Sequence, residues 1–176
     1  MLPRAMGGVS GAKGSFLPIA ALIALLLAFA AAGCGSSGSN EVTVKTGSLS
    51  KAAFIAKADA ICEAARTEFL AKYTKFLEAH RSVVNSEDEA GKEVLLSEII
   101  DSILAPNIEG QVTRISKLGA PEDFAPEVEN FLNALQGRMD KALDNPQAFT
   151  TTPTPFVQAE NIARQATMNG CAESFS

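Results

Sequence analysis

Apolar residues recur at spacings of three and four between residues 54 and 84, which is the pattern of one apolar face on a long helix. They are Phe54, Ala58, Ile61, Cys62, Ala65, Phe69, Tyr73, Phe76, Leu77 and Val84. Ser50 precedes them and is a good N-cap. Glu68 and Lys72 are four residues apart on the polar face and are expected to pair weakly. The pattern therefore predicts a first helix over about residues 51–84.

A second helical pattern follows a sequence that favours a helix start. Ser86 is followed three residues later by Glu89, as in a capping box. The apolar positions of this helix are Leu95, Ile99, Ile103, Leu104, Ile108, Val112, Ile115 and Leu118. Pro106 falls inside the run and is expected to kink or break the helix near Ala105. The glycine and proline within residues 119–121 are expected to end it.

Two further helices are predicted in the last third of the chain. One begins around residues 121–126 and stops at the Asn-Pro of residues 145–146. Residues 149–155 are rich in threonine and proline, and are expected to be extended. The other helix covers about residues 156–169, with Gly170 as its C-cap.

These four amphipathic helices, with mostly short connections, predict an all-α fold. The expected architecture is an antiparallel four-helix bundle with a long helix 1 and a helix 2 kinked at Pro106. Residues 42–44 are the only strand-like stretch, and we assign them to a tether that precedes the bundle. The helical domain is therefore expected to cover residues 50–176.

The N-terminus has a different pattern, in which an apolar run follows two basic residues. Arg4 and Lys13 are the only charges before Glu41, and residues 17–32 are apolar apart from Pro18. A membrane-spanning helix needs about 20 apolar residues, whereas the apolar region of an export signal needs about 7–15. We therefore predict that residues 1–33 are an export signal that is removed.

The end of the apolar run carries small residues directly before a cysteine, in the sequence Ala31-Ala32-Gly33-Cys34. It resembles the lipobox of bacterial lipoproteins. The resemblance implies that Cys34 receives lipid, becomes the new N-terminus and tethers the protein to the outer face of the cytoplasmic membrane. The alternatives are an ordinary secretory signal with an incidental Cys34, and an uncleaved anchor. Residues 34–49 would then form the lipidated N-terminus and a flexible tether, which begins with a Gly/Ser-rich linker.

The net charge of the chain disfavours some classes of binding partner. Removal of residues 1–33 takes away Arg4 and Lys13 and leaves 13 basic residues against 20 acidic ones, a net charge of −7. An acidic domain has no general affinity for nucleic acid or for anionic lipid head groups. Contact with the membrane is therefore expected to come from the lipid on Cys34, and a cell-envelope protein is the other partner considered.

No set of residues in the chain is typical of a catalytic or cofactor site. His80 is the only histidine, and the Glu-x-x-His pairs of di-iron bundles are absent. The acidic residues 87–89 are explained by the start of a helix, where negative charge is favoured. We therefore expect no metal, no cofactor and no enzyme activity. The Thr/Pro-rich residues 150–155 are interpreted as a stiff loop, with an O-glycosylated segment as the alternative.

The two remaining cysteines, Cys62 and Cys171, predict one disulfide. If Cys34 carries lipid, they are the only free thiols in a compartment where disulfides persist. In an up-down-up-down bundle the fourth helix packs antiparallel to the first, which brings both cysteines to the same end. Two buried free thiols are the alternative.

The first helix also carries a motif that resembles a group of small uncharacterised actinobacterial lipoproteins. Phe54, Ala58, Asp59 and Cys62 match the Phe-x-x-x-Ala-(Asp/Asn)-x-x-Cys opening helix of that group, which also has a second cysteine near the C-terminus, here Cys171. The resemblance implies a lipid-anchored helical domain and no particular activity.

Two functions are compatible with these observations. The first is a non-catalytic binding or structural module of the cell envelope. The second is a small-ligand carrier or envelope enzyme with a pocket inside the bundle. A filled core would favour the first function, and an apolar pocket with converging polar groups would favour the second.

Overall fold

The computed structural model describes residues 41–150 and 155–175. The predicted signal, Cys34, the Gly/Ser-rich linker and most of the Thr/Pro-rich segment lie outside these residues. Within them there is no β-strand, and regular structure is helical apart from one isolated bridge between Thr46 and Ala120. The all-α fold class is confirmed. No helix in the described part of the chain is long and apolar enough to cross a membrane.

Helix α1, Lys51–Ala79, begins as predicted but ends earlier. The Ser50 hydroxyl accepts a hydrogen bond from the Ala53 N–H at 3.3 Å, and Lys72 Nζ lies 2.7 Å from Glu68 Oε1. That contact lowers the pKa of Glu68, chiefly through its hydrogen bond to Lys72. The helix stops at His80, whose backbone leaves the helical region (φ −109°, ψ 20°) and whose Nδ1 lies 2.9 Å from the Phe76 carbonyl oxygen.

A short helix α2, Arg81–Val84, separates α1 from α3, Glu89–Ile99. The N-cap of α3 is Asp88, which accepts a hydrogen bond from the Gly91 N–H at 3.0 Å. The predicted capping box at Ser86 is therefore wrong by two positions. The Ser86 hydroxyl instead accepts from the Asp88 N–H and donates to the Val83 carbonyl, so that it closes the turn before the helix.

The irregularity predicted at Pro106 takes the form of a change in helix type. A π-helical turn, Ile100–Leu104, leads directly into helix α4, Ala105–Ser116, with Pro106 in the first turn of α4. Pro106 has no N–H to donate, and it directly follows a π-helical turn in which the Ala105 N–H donates to the Ile100 carbonyl five residues back, so the hydrogen-bond pattern is already altered where the proline enters the helix. The chain is thus helical on both sides of Pro106, and it is not broken there.

Helix α5, Ala125–Asp144, is followed at once by a short helix α6, Pro146–Thr150. Pro146 occupies the first position of α6, and Asn145 Oδ1 accepts a hydrogen bond from the Ala148 N–H at 3.1 Å. The prediction of extended backbone is therefore wrong for Phe149 and Thr150, because this Asn-Pro pair begins a helix as well as ending one.

The C-terminal region contains two helices in place of the predicted one. Helix α7, Val157–Gln165, ends in a left-handed residue, Thr167 (φ 60°), and helix α8, Asn169–Glu173, follows. Gly170 lies inside α8, so its assignment as a C-cap is wrong. The Thr167 and Met168 N–H groups donate to the carbonyls of Arg164 and Ala163, which is the hydrogen-bond pattern of a Schellman motif.

The helices pack in a closed order. Helix α4 lies between α1 and α5, α5 packs on α7, and α8 joins α7 back to α1. The core is formed by the facing surfaces of these helices, with Phe54 and Phe124 fully buried and in edge-to-face contact at 5.8 Å between ring centroids. The main contact between the C-terminal region and α1 is made by α8, whereas the sequence analysis predicted that the fourth helix, about residues 156–169, would pack against helix 1.

The segment before α1 is fixed to the domain by side chains of α5. The Val42 N–H donates to Asn133 Oδ1 at 2.8 Å, and the Val44 N–H donates to Glu129 Oε1 at 3.0 Å. Val44 is also buried in the core. Within the described residues, Val42 and Val44 therefore already contact the helical domain, although the sequence analysis assigned residues 34–49 to the lipidated N-terminus and a flexible tether.

Close backbone contact continues from Lys45 to Gly47. The Lys45 N–H donates to the Ser116 carbonyl, the Ala120 N–H donates to the Lys45 carbonyl, and the Gly47 N–H donates to the Ala120 carbonyl. A Cβ on Gly47 would lie only 2.7 Å from the Gly119 Cα. A side chain at position 47 would therefore force the backbone at Gly47 away from the backbone at Gly119. The loop that follows α4 is thereby joined to the beginning of the domain.

Candidate functional site: the C-terminal clasp and the pocket beside it

Cys62 and Cys171 form a disulfide, as the sequence predicted. Both residues are fully buried, Cys62 on the inner face of α1 and Cys171 in α8. Their bond closes a sequence separation of 109 residues. It joins the C-terminal helix covalently to the first helix.

Two other residues of the C-terminal clasp (Asp59, Cys62, Gly170 and Cys171) complete the attachment. Asp59 Oδ1 accepts a hydrogen bond from the Cys171 N–H at 3.0 Å, which satisfies one of the free donors at the start of α8. A Cβ on Gly170 would lie 2.7 Å from the Asp59 Cβ, so α8 can approach α1 this closely only with glycine at that position. The acid and the cysteine of the opening-helix motif therefore act here in attaching the C-terminus.

An apolar pocket of about 230 Å³ lies beside the clasp, between α1, α4 and the C-terminal residues. Four phenylalanine rings supply much of its wall: Phe69, Phe149, Phe156 and Phe175. The Phe156 ring contacts both Phe149 and Phe175, at 5.8 and 5.2 Å between centroids. Because Phe175 follows α8, the wall of this pocket depends on where the clasp holds the C-terminus.

Asn107 and Gln111 bring two buried amides to the same pocket. They lie one turn apart on α4 and are 9% and 2% exposed. Asn107 Nδ2 donates to the Ala65 backbone carbonyl at 2.9 Å, and Gln111 Nε2 donates to Asn107 Oδ1 at 2.9 Å. Gln111 Oε1, at the end of this chain, has no hydrogen-bond partner.

The backbone carbonyl of Ala65 sets the direction of this amide chain. A carbonyl oxygen can only accept, so Asn107 must turn its NH₂ group towards Ala65 and its oxygen towards Gln111. Gln111 must then use its own NH₂ group on Asn107, which leaves its oxygen at the free end. The unpartnered atom of Gln111 is thus an oxygen acceptor. The usual ambiguity between the oxygen and the nitrogen of a side-chain amide is removed by these hydrogen bonds.

The remaining polar residues of the pocket are Arg66 and Ser174. Arg66 is exposed on α1 and is the only charged residue among the described residues of the lining. None of these described lining residues is a carboxylate, so they offer a cationic group no counter-ion. The pocket is therefore suited to an uncharged or anionic molecule with an apolar body.

A larger and more polar groove of about 660 Å³ lies between α5 and α7. Arg138 lines it and has Nε and Nη2 without hydrogen-bond partners. The Arg138 guanidinium carbon lies 5.1 Å from the centroid of the Phe149 ring, and this contact stabilises its charge. Arg138 itself is only partly buried, so this groove is a weaker candidate than the pocket that contains Gln111.

The structure does not bring the other chemically interesting residues together. His80 binds its own helix at Phe76, and Asp88 caps α3. Within residues 41–150 and 155–175, no three His, Cys, Asp or Glu side chains are grouped so that they could hold a metal ion. Cys34 lies outside the described residues.

The sequence reasoning missed Asn107 and Gln111. Both fall on the buried face of α4 that also carries Ile108, Val112 and Ile115, so polar residues at inward positions of an apolar stripe were the available signal. Burial of an amide oxygen without a partner is costly, and among these two residues only Gln111 Oε1 is left so; this makes the position a candidate site.

No family model, no curated protein and no solved structure matches the chain.

Proposed function

We propose that the protein is a lipid-anchored, non-catalytic binding module on the outer face of the cytoplasmic membrane. The observation that carries the proposal is the buried Cys62–Cys171 disulfide. Disulfides of this kind persist in oxidising compartments outside the cytoplasm. They agree with an export signal over residues 1–33 and with the lipobox-like residues before Cys34.

The charge of the mature chain also supports attachment through lipid. With a net charge of −7 after removal of residues 1–33, the protein surface gives no electrostatic attraction to anionic head groups. A diacylglyceryl group on Cys34 supplies two chains, which is about what stable anchoring requires.

We also infer that α1, α4, α5 and α7 are the four main members of an antiparallel bundle, with α8 as a clasp. The support is their order of packing, in which each helix contacts the next along the chain and α8 returns to α1. This arrangement leaves the pocket beside Gln111 at the junction of α1, α4 and the C-terminus.

A small-ligand carrier is the second candidate function. The specific observation in its favour is the apolar pocket of about 230 Å³ whose lining includes the unpartnered Gln111 acceptor. A fully packed core would have favoured a partner-binding or structural role alone.

The anchoring claim is tested by metabolic labelling with palmitate, followed by cell fractionation. The wild-type chain is expected to carry the label and to sediment with membranes, and Cys34→Ala is expected to lose the label and to stay uncleaved by the lipoprotein peptidase. Ser36→Ala is the matched control, because it changes a neighbouring small residue and leaves the thiol. Equal labelling of wild type and Cys34→Ala would overturn the proposal.

A further inference from the structure

The most unusual polar atom in the described part of the chain is Gln111 Oε1. Gln111 is 2% exposed and lines an apolar pocket, and its Oε1 is buried without a hydrogen-bond partner among the described residues. A buried acceptor without a hydrogen bond is less stable than one that is paired. A molecule that brings a donor to this oxygen recovers that free energy on binding.

We propose that the pocket beside the clasp binds a compact aromatic molecule that carries one hydrogen-bond donor, of the phenol or indole class, and that its O–H or N–H donates to Gln111 Oε1. The inference rests on the binding role proposed above and is independent of the anchor at Cys34. It assigns a ligand class to a pocket for which the sequence offered none.

The ligand must donate a hydrogen bond, because the free atom at the end of the amide chain is an acceptor. Because the Ala65 carbonyl orients Asn107, and Asn107 orients Gln111, only an oxygen is free at the end of the chain. A ligand with only acceptors, such as an ether or a ketone, would add a second unpaired acceptor beside the first.

The lining of the pocket favours a ligand whose body is flat and apolar. Phe69, Phe149, Phe156 and Phe175 all line it, together with Leu104 and Ile108. Aromatic rings favour edge-to-face and offset contacts with another ring, worth about 0.5–1.5 kcal/mol beyond the buried area. A volume of about 230 Å³ suits one or two fused rings and is too small for a long lipid.

The charge of the lining excludes ligands of another class. Arg66 is the only charged lining residue, and it is exposed. An amine with a donor group would meet this positive charge without a counter-ion, so a neutral donor is favoured over an ammonium group. A weakly acidic phenol is compatible with the same surroundings.

The test compares indole with benzothiophene, which has nearly the same shape but no N–H. Binding is measured by isothermal titration calorimetry on the full mature chain in the form in which its native host produces it, with the same buffer or detergent solution without protein as the background. We expect indole to bind about tenfold more tightly than benzothiophene, because one recovered hydrogen bond is worth about 1–1.5 kcal/mol.

Variants assign the preference to the proposed atom. Gln111→Met removes the acceptor at similar volume and is expected to abolish the preference while both probes still bind. Gln136→Met is the matched control, because the Gln136 amide donates to Asp140 on α5 and does not line the pocket. Phe175→Ala is expected to weaken the binding of indole and of benzothiophene equally and to keep the preference for indole. This variant still tests the pocket if Gln111→Met fails to fold.

Equal binding of the two probes to the wild-type chain would overturn the proposal, as would absence of binding by both. A preference that survives in folded Gln111→Met would overturn the assignment to Gln111. None of these binding results changes the outcome expected in the palmitate test. Absence of palmitate label from the wild-type chain would likewise not change the expected preference for indole, so the two proposals fail separately.

Discussion

Gly170 and Gly137 are both helical glycines, but their surroundings differ. A Cβ on Gly170 would lie 2.7 Å from Asp59, whereas a Cβ on Gly137 would meet nothing within 4 Å. We expect Gly170→Ala to lower the free energy of unfolding by about 1–3 kcal/mol, through overpacking of α8 against α1. Gly137→Ala is the matched control and is expected to raise it by about 0.5–1 kcal/mol. Urea denaturation measures both, and similar effects of the two changes would contradict the close approach at Gly170.

Thr167 holds a backbone conformation that L-residues with a side chain rarely adopt. Its φ of 60° ends α7 in a Schellman motif, where glycine is the usual residue. The left-handed region costs about 1–2 kcal/mol for a residue with a Cβ, and part of this is offset because glycine gains freedom in the unfolded chain. We therefore expect Thr167→Gly to raise the melting temperature.

The control for this prediction is Thr113→Gly, at an exposed position inside α4. That change is expected to lower the melting temperature, because glycine is a poorer helix former than threonine. If Thr167→Gly also lowers it, the left-handed conformation of Thr167 is not the source of strain that the structure indicates.

At the scale of elements, α8 is held chiefly by the C-terminal clasp. It has only five residues, Asn169–Glu173, which is too short for a helix to be stable by itself. The Cys62–Cys171 disulfide closes a separation of 109 residues, and loops of that size are worth on the order of 4–5 kcal/mol in the chain-entropy model. The double change Cys62→Ala, Cys171→Ala is expected to lower the free energy of unfolding by up to that amount.

Hydrogen exchange shows which helix is destabilised in the double variant. The amides of α8, including the Cys171 N–H that Asp59 accepts, are expected to lose protection before those of α1 or α5. Reduction of the wild-type chain is expected to give the same pattern. Unchanged protection of α8 after the double substitution would show that packing alone holds it.

The long helices were predictable because their signals are redundant. Helix α1 has an N-cap at Ser50 and an apolar stripe, and α5 has an apolar stripe that runs as far as the Asn-Pro stop. At the start of α1 and at the end of α5 two features indicate the same boundary. The end of α1 has no such second signal, and the apolar stripe alone predicted too long a helix there. The disulfide followed from the number of cysteines and from the compartment that the N-terminus implies.

The C-terminal region was less predictable because its signals are shared between competing structures. Gly170 fits a helix C-cap by sequence, but it is needed for close approach of α8 to Asp59. Pro146 ends one helix and begins the next. Such choices are decided by tertiary contacts, which periodicity does not contain.

The pocket was not predictable beyond the position of its amides. Asn107 and Gln111 stand on an apolar stripe, but their hydrogen bond to the Ala65 carbonyl depends on how α4 packs on α1. The aromatic wall joins residues from distant parts of the sequence, from Phe69 to Phe175. No local pattern relates them.

At the scale of the whole molecule, we propose that an export signal precedes a domain that is closed by a disulfide. The segment from Val42 is fixed to α5, and the C-terminus is fixed to α1, so both ends of the domain are attached to its core. A lipid-anchored binding module needs a domain that stays folded outside the cytoplasm, and these attachments supply it.

Intact-mass spectrometry of the protein purified from its native membrane, before and after reduction, tests this account most directly. We predict a mature chain that begins at Cys34, carries a diacylglyceryl group on that residue, and gains one pair of hydrogen atoms on reduction as Cys62 and Cys171 separate. An unmodified mature N-terminus at another residue would contradict the anchor, and an unchanged mass on reduction would contradict the disulfide on which the extracytoplasmic assignment depends.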